Sequence, residues 1–589
     1  MRRLQLQHQS VMMAERAASR SLGGYGGAVA ACLAVVAVAN LFTVYYVTQE
    51  RTIYFWDWSH YWLRYRDLTA SLAQHPTATL GSLLSSVRRD DYNLLPVLPL
   101  VPVGWLFGTG RLPYILAITN IYLLPAILVM GLLLQWLFRP GIPRRSFAPF
   151  VLTVASLPLL HMLWVAALRG FPDVVGVVPI GGILLLHFAR PLSEQRAGRL
   201  VATGLLLCLL VLLRRWYAYW VVAFFPALAV AHGLDIYRRY GSDWRPYLTA
   251  GRNAVIIGLT FASALLGLAT PFALRAIQTD YSDIYSAYRF NHSLMDDVSH
   301  LARWFGWVEI VAGSVGLAWL AVRKETRVLG SFLLVQLCTI FALFTRTQDF
   351  SLQHIYLLIP GLAVGIAAVV IGLWGRMMNG VWRVASVGLM LTVLLLGSVT
   401  AFTPGAVAIA DRLRVLLPSD RFYPLVRHDI DMLENLLASV ETLELAQPGD
   451  IYVLASSNIL NSNILYNACK FGPRPRSFCD RILSASDVDK RDGFPRQFLQ
   501  ATYLVTASPA QYHLRPDDQR VIGVLLREVV GGHGIGASFQ RLPGEFTLDN
   551  RVTVRVYLKE SPFKRSDLDA LEKEFNGYYP GRGHLFSVP

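Results

Sequence analysis

Asp57 stands inside an aromatic run, YFWDWSHYW, directly between Trp56 and Trp58. A carboxylate enclosed by aromatic rings is partly removed from water, and this desolvation raises its pKa and its basicity. Such a carboxylate can act as a general base that takes a proton from a hydroxyl group. The alternative interpretation is an aromatic belt at a membrane interface that carries one solvated acid.

Two further acidic positions are candidates for the same chemistry. Asp173 follows the residues RGFP in a short connection between apolar segments. An acid in such a place either takes part in chemistry or caps the next helix by accepting its first N–H groups. Asp91 belongs to an Asp–Asp pair that precedes Tyr92. Because a pair of acids does not by itself define a site, Asp91 is an additional candidate only.

Basic side chains form a third group of candidates, and their chemistry suits a phosphate group. They are Arg111, Arg169, Arg214, Arg215, Arg275, Arg289, Arg346 and His354. Guanidinium pairs well with phosphate oxygens. The alternative for each arginine is a long side chain that extends to lipid headgroups. The sequence contains no P-loop, CxxC pair, GxSxG motif or His-rich cluster, so it indicates neither an ATP-driven protein nor a zinc hydrolase.

Long apolar helices must position these residues, because 54% of the 589 residues are hydrophobic and the mean hydropathy is +0.41. A helix crosses a hydrocarbon core of about 30 Å with roughly 20 apolar residues. The segments predicted to span the membrane are 27–47, 112–137, 147–167, 174–189, 200–213, 217–233, 253–270, 305–322, 328–345, 354–374 and 384–402. We therefore predict a polytopic α-helical membrane protein with about eleven transmembrane helices.

The distribution of charge predicts which side of the membrane each connection faces. A net charge of +15 would suggest nucleic acid in a soluble protein, but no nucleic-acid motif is present. The basic residues lie mainly in the connectors 138–146, 190–199, 234–252, 323–327 and 375–383. Basic connectors face the cytoplasm, so the N-terminus is predicted to be cytoplasmic and the protein to lie in the plasma (inner) membrane. The candidate arginines fall on the opposite side, against this bias, and therefore require a functional explanation.

The predicted domains follow from these spans. They are a cytoplasmic tail at 1–26, a transmembrane module at 27–402 with an outer loop at 48–111, and an extracytoplasmic α/β domain at 403–589. The apolar stretch Leu94–Phe107 contains three prolines and is predicted to lie in or dip into the interface. In the C-terminal domain, predicted strands alternate with predicted helices, which indicates an α/β layer. The strands are Asp450–Ser456, Ala501–Thr506 and Val552–Leu558, and the helices are Phe422–Glu444 and Asp517–Val530.

Cys469 and Cys479 are the two cysteines of this C-terminal domain, in the stretch CKFGPRPRSFC. The intervening glycine and prolines favour a turn that brings the two ends together. An extracytoplasmic compartment is oxidising, so we predict a disulfide between them. The alternative is two separate buried thiols.

The order of these features resembles the GT-C superfamily of membrane glycosyltransferases. The shared features are an aspartate soon after the first span, a long first outer loop, a second aspartate in the next short outer loop and an outer C-terminal domain. The most similar pattern is that of the branch with the protein O-mannosyltransferases and the lipid A aminoarabinose transferases. The resemblance covers roughly residues 50–375.

Three short motifs carry this resemblance. The branch often has Asp-Glu followed closely by Tyr in its first loop; here Asp57 matches, Tyr61 follows, and Trp58 replaces the second acid. The stretch WLFGTGRLPYIL is similar to the segment that enters the second span, and it places Arg111 at that segment's arginine. HIYLLIP, at 354–360, resembles the motif at the outer mouth of the tenth span, with Tyr356 at its tyrosine.

The resemblance implies an inverting glycosyltransferase that moves a sugar from a polyprenyl-phosphate donor to an acceptor hydroxyl at the outer face of the membrane. The acceptor is a glycan, lipid or protein, and the setting is cell-envelope polysaccharide assembly among membrane lipids. Asp57 is then the catalytic base and Asp173 orients it. The residues expected to bind the phosphate and lipid of the donor are Arg111, Arg214, Arg215, Arg346, His354 and Tyr356. The superfamily has metal-dependent and metal-independent members, so the resemblance does not decide whether this protein uses a divalent metal.

Two other classes of function compete with this one. A transporter or flippase for a lipid-linked glycan keeps polar residues near the bilayer midplane, often on repeated and broken helices. Here the ionisable residues cluster at the outer ends of the spans, and no repeat is found. A non-catalytic subunit of polysaccharide assembly is the second alternative, and the missing acid after Asp57 keeps it open.

Overall fold

Helices dominate the computed structural model, which describes residues 2–139, 146–376 and 380–589. Two of the predicted cytoplasmic connectors, 138–146 and 375–383, therefore lie partly outside the described residues. The chain forms two compact units. The membrane unit comprises Met1–Thr48, Tyr61–Thr279 and Asn291–Pro424, and the C-terminal unit comprises Gln49–His60, Asp280–Phe290 and Leu425–Pro589.

Nineteen α-helices precede residue 413 in the described part of the chain. They are α1 (Arg2–Thr48), α2 (Asp57–Gln74), α3 (Pro76–Arg89), α4 (Val101–Phe107), α5 (Arg111–Ile118), α6 (Leu124–Phe138), α7 (Ala148–Ser156), α8 (Met162–Leu168), α9 (Val177–Phe188), α10 (Ala197–Leu213), α11 (Tyr217–Tyr240), α12 (Trp244–Gln278), α13 (Tyr281–Tyr285), α14 (Leu294–Phe305), α15 (Trp307–Val322), α16 (Arg327–Phe344), α17 (Ile359–Arg376), α18 (Gly380–Phe402) and α19 (Val407–Arg412).

Six helices in the described residues are long and apolar enough to cross a membrane, and two bent helix pairs raise that number to eight. The six are Gly24–Thr48, Arg111–Phe138, Tyr217–Tyr240, Trp244–Gln278, Arg327–Phe344 and Val381–Phe402. The bent pairs are Ala148–Leu159 with Met162–Leu168, and Leu294–Phe305 with Trp307–Val322. The remaining three predicted spans coincide with the shorter apolar helices Pro172–Phe188, Ala197–Leu213 and Ile359–Gly375. The protein is therefore a multi-pass helical membrane protein, as the hydropathy predicts.

The two bent pairs are joined where they bend. His161 lies in the break before α8, and its Nδ1 is 3.1 Å from Oε1 of Glu309, in the first turn of α15. Its Nε2 is 2.6 Å from the carbonyl oxygen of Trp304, on α14. Both side chains are buried. A polar pair inside an apolar bundle is costly unless both members are satisfied, so this contact holds the two breaks in one arrangement.

Glycines let two of the apolar helices approach at backbone distance. A Cβ atom on Gly316 of α15 would lie 1.9 Å from the carbonyl oxygen of Gly365 on α17. A Cβ on Gly365 would lie 2.0 Å from the carbonyl oxygen of Gly313. In lipid, no hydrophobic effect drives two apolar helices together. Small residues at such a crossing allow close van der Waals contact, which stabilises the helix pair instead.

The C-terminal unit is built on a six-stranded mixed sheet. Its strands are β1 (Asp450–Leu454), β2 (Ile482–Ser484), β3 (Ala501–Ser508), β4 (Phe539–Arg541), β5 (Phe546–Leu548) and β6 (Val552–Lys559), in the order β2-β1-β3-β6-β4 with β5 also paired to β6. β1 pairs with β2 and β3 in parallel, whereas β6 is antiparallel to its neighbours. The helices are α20 (Ile430–Ala446), α21 (Ser462–Phe471), α22 (Arg476–Cys479), α23 (Asp489–Asp492), α24 (Arg496–Gln500), α25 (Arg520–Gly531), α26 (Arg565–Tyr578) and α27 (Gly583–Phe586).

Two predicted helices of this unit begin later than expected. The predicted helix Phe422–Glu444 begins at Ile430, because the chain before it is extended and pairs with another segment. There Arg427 N donates to the carbonyl of Arg51 at 2.8 Å, and Arg51 N donates to that of Leu425 at 2.9 Å. The predicted helix Asp517–Val530 begins at Arg520, after a short 3₁₀ turn over Pro516–Asp518.

A disulfide joins Cys469, near the end of α21, to Cys479, at the end of α22, with their Cα atoms 5.6 Å apart. Both cysteines are buried in the core that packs one face of the sheet. Phe55 packs into the same core, and Asn467 Nδ2 donates to the carbonyl of Tyr54 at 2.7 Å. The first segment after α1 is thereby part of the C-terminal unit.

Candidate functional site

Asp57 is the first residue of α2, and aromatic residues flank it in the chain. The ring of Trp56, which precedes it, lies 4.8 Å from the ring of His513. Trp56 adopts φ 45°, a left-handed conformation that is costly for a bulky residue. Strained backbone of this kind persists only where the surrounding structure holds it, and it is concentrated at functional sites.

His513 is fixed in one tautomer by its neighbours. Gln519 Oε1 accepts from the backbone N–H groups of His513 and Leu514, at 3.0 and 3.1 Å. The Gln519 amide nitrogen therefore faces His513 Nδ1, at 3.1 Å, and Nδ1 must accept. Burial also lowers the pKa of His513 to about 4, so the imidazole is neutral at pH 7 and carries its proton on Nε2.

Ser456 and Asp487 complete this cluster at the carboxyl ends of the parallel strands. Ser456 follows β1, Asp487 follows β2 and His513 follows β3. Ser456 Oγ lies 2.8 Å from His513 Nδ1, to which it donates, and 3.4 Å from Asp487 Oδ1. Ligands of open α/β sheets bind outside the carboxyl ends of such strands.

Asp57 acts electrostatically on this cluster. Burial raises the pKa of Asp487 to about 6, and the negative charges of Asp492 and Asp57 add to the shift. Burial and the charges of Asp487 and Asp57 also raise the pKa of Tyr288. The structure therefore places the predicted base beside a second carboxyl group, which the sequence analysis did not identify.

Asp173 lies in the membrane unit, in the 3₁₀ turn Pro172–Gly176 before α9, and is only 1% exposed. Arg214, between α10 and α11, is 2% exposed and donates from Nε to Asp173 Oδ1 at 2.7 Å. The same guanidinium donates to the hydroxyl of Tyr61 and lies 4.8 Å from the Tyr61 ring centroid. Tyr217 donates its hydroxyl to the backbone carbonyl of Asp173 at 2.7 Å. The structure thus joins two of the predicted site residues in one buried ion pair.

Arg215 and Asp91 form a second, more exposed group. Arg215 Nη1 lies 2.9 Å from Asp91 Oδ2, and Arg275 Nη2 lies 2.9 Å from Asp91 Oδ1. The Arg215 guanidinium also lies over the rings of Tyr92 and Trp216, at 5.0 and 4.3 Å. Asp91 therefore binds two arginines. These ion pairs explain an acidic residue at this position without a catalytic role for Asp91.

Arg111 begins α5 and is 8% exposed. Its guanidinium lies 5.7 Å from the ring of Trp62 and 5.9 Å from that of Tyr114. The chain at Gly170 approaches it so closely that a Cβ there would lie 2.6 Å from Nη1. Gly170 also adopts φ +91°, so glycine is required at this position for two independent reasons.

The three other predicted donor-binding residues differ in setting. His354 is 3% exposed, and its ring packs on those of Trp216 and Phe344, at 4.4 and 4.8 Å. Its Nδ1 accepts from the Ser351 N–H, and its Nε2 makes no hydrogen bond within the described residues. Tyr356 is fully buried and donates to the carbonyl of Leu163 at 2.9 Å, so it joins helices, whereas Arg346 is exposed.

Sequence reasoning missed Ser456, Asp487 and His513. Ser456 was placed inside a predicted strand, although it follows β1. β2 was not predicted, so nothing in the pattern marked Asp487 as a residue at a strand end. Within the described residues, no group of three or more His, Cys, Asp or Glu side chains is arranged to hold a metal ion.

Comparison with known proteins gives matches among solved structures. No protein-family model and no curated protein matches the chain. ArnT from Cupriavidus metallidurans in the apo state is similar at 13% identity and a TM-score of 0.47, over 90% of this chain and 98% of that chain. The structure of ArnT from the same organism bound to undecaprenyl phosphate gives 14% identity and a TM-score of 0.47, over 90% of this chain and 97% of that chain. The Archaeoglobus fulgidus oligosaccharyltransferase in the apo form gives 12% identity and a TM-score of 0.40, over 81% of this chain and 69% of that chain. The chain is a multi-pass helical membrane protein with a C-terminal α/β unit.

Proposed function

We propose that this protein is an inverting GT-C membrane glycosyltransferase. It moves a sugar from a polyprenyl-phosphate donor to an acceptor hydroxyl at the outer face of the membrane, in the assembly of cell-envelope polysaccharide. The observation that supports this most is the buried Arg214–Asp173 ion pair, which lies in the same unit as the buried guanidinium of Arg111. Buried arginines are rare unless a partner or a ligand uses them.

The proposed role of the arginines is to stabilise the leaving group. As the bond between the anomeric carbon and the phosphate oxygen breaks, the electron pair and the negative charge pass to the polyprenyl phosphate. Guanidinium groups that are already oriented in a water-poor site stabilise that charge without reorganising. Arg214 is held by Asp173 and Tyr61, so its orientation is set before the donor binds.

Asp57 is the proposed general base. It takes the proton of the acceptor hydroxyl as the acceptor oxygen attacks the anomeric carbon from the face opposite the phosphate, which inverts the configuration. Its aromatic neighbours and the nearby carboxyl of Asp487 favour a raised basicity. Asp173 is proposed to orient the catalytic groups through Arg214.

Turnover by the purified full-length protein in lipid nanodiscs tests this proposal. Wild-type protein is supplied with polyprenyl-phosphate sugars, and release of polyprenyl phosphate is measured by mass spectrometry. A flippase or a non-catalytic subunit would release none, and that result would reject the enzyme proposal.

Asp57→Asn tests the base itself. We expect kcat to fall by about 10²- to 10⁴-fold, because general base catalysis contributes that much. Asp431→Asn, an exposed acid of the same unit, is the matched control and should keep full activity. Near-normal turnover by Asp57→Asn would remove Asp57 from the mechanism.

A further inference from the structure

A cavity of about 390 Å³ lies in the C-terminal unit beside the start of α2. Residues of four segments line it, among them Phe55, Trp58, His428, Asn458, Asp549 and Asn550. Its volume is within the range of pockets that bind small molecules, about 300–1,000 Å³. Trp58 directly follows Asp57 in the chain, but the chemistry described above does not use this cavity.

One wall of the cavity is aromatic and rigid. The rings of Phe55 and Trp58 lie 5.0 Å apart at 46°. Phe55 is buried in the core of the C-terminal unit, which fixes the position of this wall. The face of an aromatic ring carries partial negative charge, so it attracts the C–H groups on the apolar face of a sugar ring.

The other lining residues present polar groups on a backbone that hydrogen bonds hold in place. The backbone N–H of His428 donates to Asp549 Oδ2 at 3.1 Å, and that of Asp549 donates to Asp429 Oδ2 at 2.8 Å. The side chains of His428, Asn458 and Asn550 are exposed and make no hydrogen bond within the described residues. Amide and imidazole groups donate and accept at once, which matches the dual character of sugar hydroxyls.

The backbone of one loop at this cavity is strained. Asn550 and Arg551 have φ values of 55° and 59°, a region that non-glycine residues rarely occupy. Asparagine tolerates it better than other residues, whereas arginine does not. Strain that the fold maintains is typical of sites that hold a ligand.

The charges of the lining favour a neutral ligand. The lining holds one guanidinium and one carboxylate, those of Arg427 and Asp549. The guanidinium of Arg427 donates two hydrogen bonds to the carboxylate of Asp429, so its charge is already paired within the protein. The cavity therefore suits a polyhydroxylated ring better than a phosphate group.

We propose that this cavity binds a sugar residue of the acceptor, and that the acceptor is accordingly a glycan and not a peptide. That this sugar belongs to the acceptor rests on the proposed function, whereas the binding of carbohydrate to the cavity does not. The acceptor sugar contacts the aromatic wall with its apolar face and hydrogen-bonds Asn458 and Asn550 with its hydroxyls.

Hydrogen–deuterium exchange of the full-length protein in nanodiscs tests the inference. The probes are maltotetraose, chitotetraose and a peptide rich in Ser and Thr, each at millimolar concentration. We expect at least one oligosaccharide to slow exchange at 425–428, 458–459 and 549–551, and the peptide to leave it unchanged. Protection by the peptide alone, or by none of the three, would overturn the inference.

A double variant, Asn458→Ala with Asn550→Gly, separates binding from folding. Glycine relieves the positive φ at residue 550, so the loop keeps its backbone while both amides are lost. Two lost hydrogen bonds should weaken oligosaccharide binding about ten- to a hundred-fold. Gln540→Ala, an exposed amide on β4, is the control and should bind as wild type. Undiminished binding by the double variant would refute the assignment of the cavity.

Measuring donor turnover as well as oligosaccharide binding shows whether a negative result concerns the proposed acceptor site or the proposed function. A protein that releases polyprenyl phosphate but binds no oligosaccharide keeps the proposed function and loses the acceptor site. A protein that binds oligosaccharide but turns over no donor keeps the carbohydrate site and loses the proposed reaction.

Discussion

Arg214 and Asp173 form an ion pair that is almost completely removed from solvent, with each side chain 2% exposed. Removing one member of such a pair leaves the other charge buried, at a cost of about 3–5 kcal/mol. Variants at either residue therefore mix loss of function with loss of folding. Arg111, whose guanidinium lies over the rings of Trp62 and Tyr114, is the second arginine through which the proposed phosphate site is probed.

Arg111→Ala should lower kcat/KM for the polyprenyl-phosphate donor by about ten- to a hundred-fold. The reason is the loss of a charge-assisted hydrogen bond to phosphate, which contributes about 1.5–3 kcal/mol. Donor concentration series with the protein in nanodiscs measure this effect. Arg88→Ala, an exposed arginine on α3, is the control.

Gly170→Ala tests the same site without replacing the arginine, and because it also strains the backbone at φ +91°, the amide exchange of the variant is compared with that of wild type to confirm folding. The added methyl would lie 2.6 Å from Arg111 Nη1, so the guanidinium must move. We expect the donor KM to rise in both variants. Unchanged kinetics in both would assign Arg111 to lipid headgroups.

At the scale of single elements, the turn around α23 shows how the C-terminal unit holds a buried acid. Asp489 Oδ2 accepts from the Val521 N–H at 2.9 Å and from the Tyr579 hydroxyl at 2.7 Å. Ser486 Oγ donates to Oδ1 at 3.1 Å. Asp489 is fully buried, and burial raises its pKa to about 6 despite these three donors.

The raised pKa makes the stability of this unit depend on pH. The folded state binds a proton at Asp489 more tightly than the unfolded state, where the pKa is near 3.8. Stability is therefore greatest below pH 4 for this group and falls as the pH rises to about 6. Two pKa units correspond to about 3 kcal/mol.

Asp489→Asn should remove this slope. The asparagine oxygen can accept from Val521 and Tyr579 while its amide donates to Ser486, so the hydrogen bonds survive. Amide exchange of β1 and β3 in the full-length protein, measured from pH 4 to 7 and corrected for intrinsic rates, reports the change. If the stability of wild type and of the variant changed equally with pH, ionisation of Asp489 would not destabilise the folded state, and the prediction would be wrong.

At the scale of the whole molecule, the sidedness of the two units follows from charge and remains a prediction. Lys324 lies exposed between α15 and α16, and Lys573 lies exposed on α26. In a background without Cys32, Cys208 and Cys338, we expect Lys573→Cys to react with an impermeant maleimide on intact cells. Lys324→Cys should react only after the membrane is opened, and labelling of both from one side would reject the topology.

The Cys469–Cys479 disulfide provides an independent test of the same topology. The bond requires an oxidising compartment, which the cytoplasm is not. A non-reduced digest of protein taken directly from its membrane should contain the two peptides linked. Closing so short a loop contributes roughly 2–3 kcal/mol, so reduction should increase amide exchange in α21 and α22. Two alkylatable thiols would argue against an extracytoplasmic C-terminal unit.

The sequence alone identified the apolar helices, the parallel strands β1 and β3, and the Cys469–Cys479 pair. These features depend on runs of neighbouring residues: apolar length for helices, β-branched and aromatic content for strands, and short spacing for the cysteines. The extended chain before Ile430 was missed because its hydrogen bonds are made with Arg51, more than 370 residues earlier. The short strand β2 was missed because three residues carry too little pattern.

Tertiary structure alone decided the partners of the candidate residues. The sequence marks Asp57 by its aromatic neighbours, but its electrostatic interaction with Asp487 comes from the assembly of residues 49–60 with a sheet formed some 400 residues later. Arg214 was one of several equivalent arginines until Asp173 and Tyr61 were found to bind it. Hydropathy and spacing act over one or two turns of chain, whereas burial, ion pairing and pKa depend on groups that only folding brings within a few ångströms.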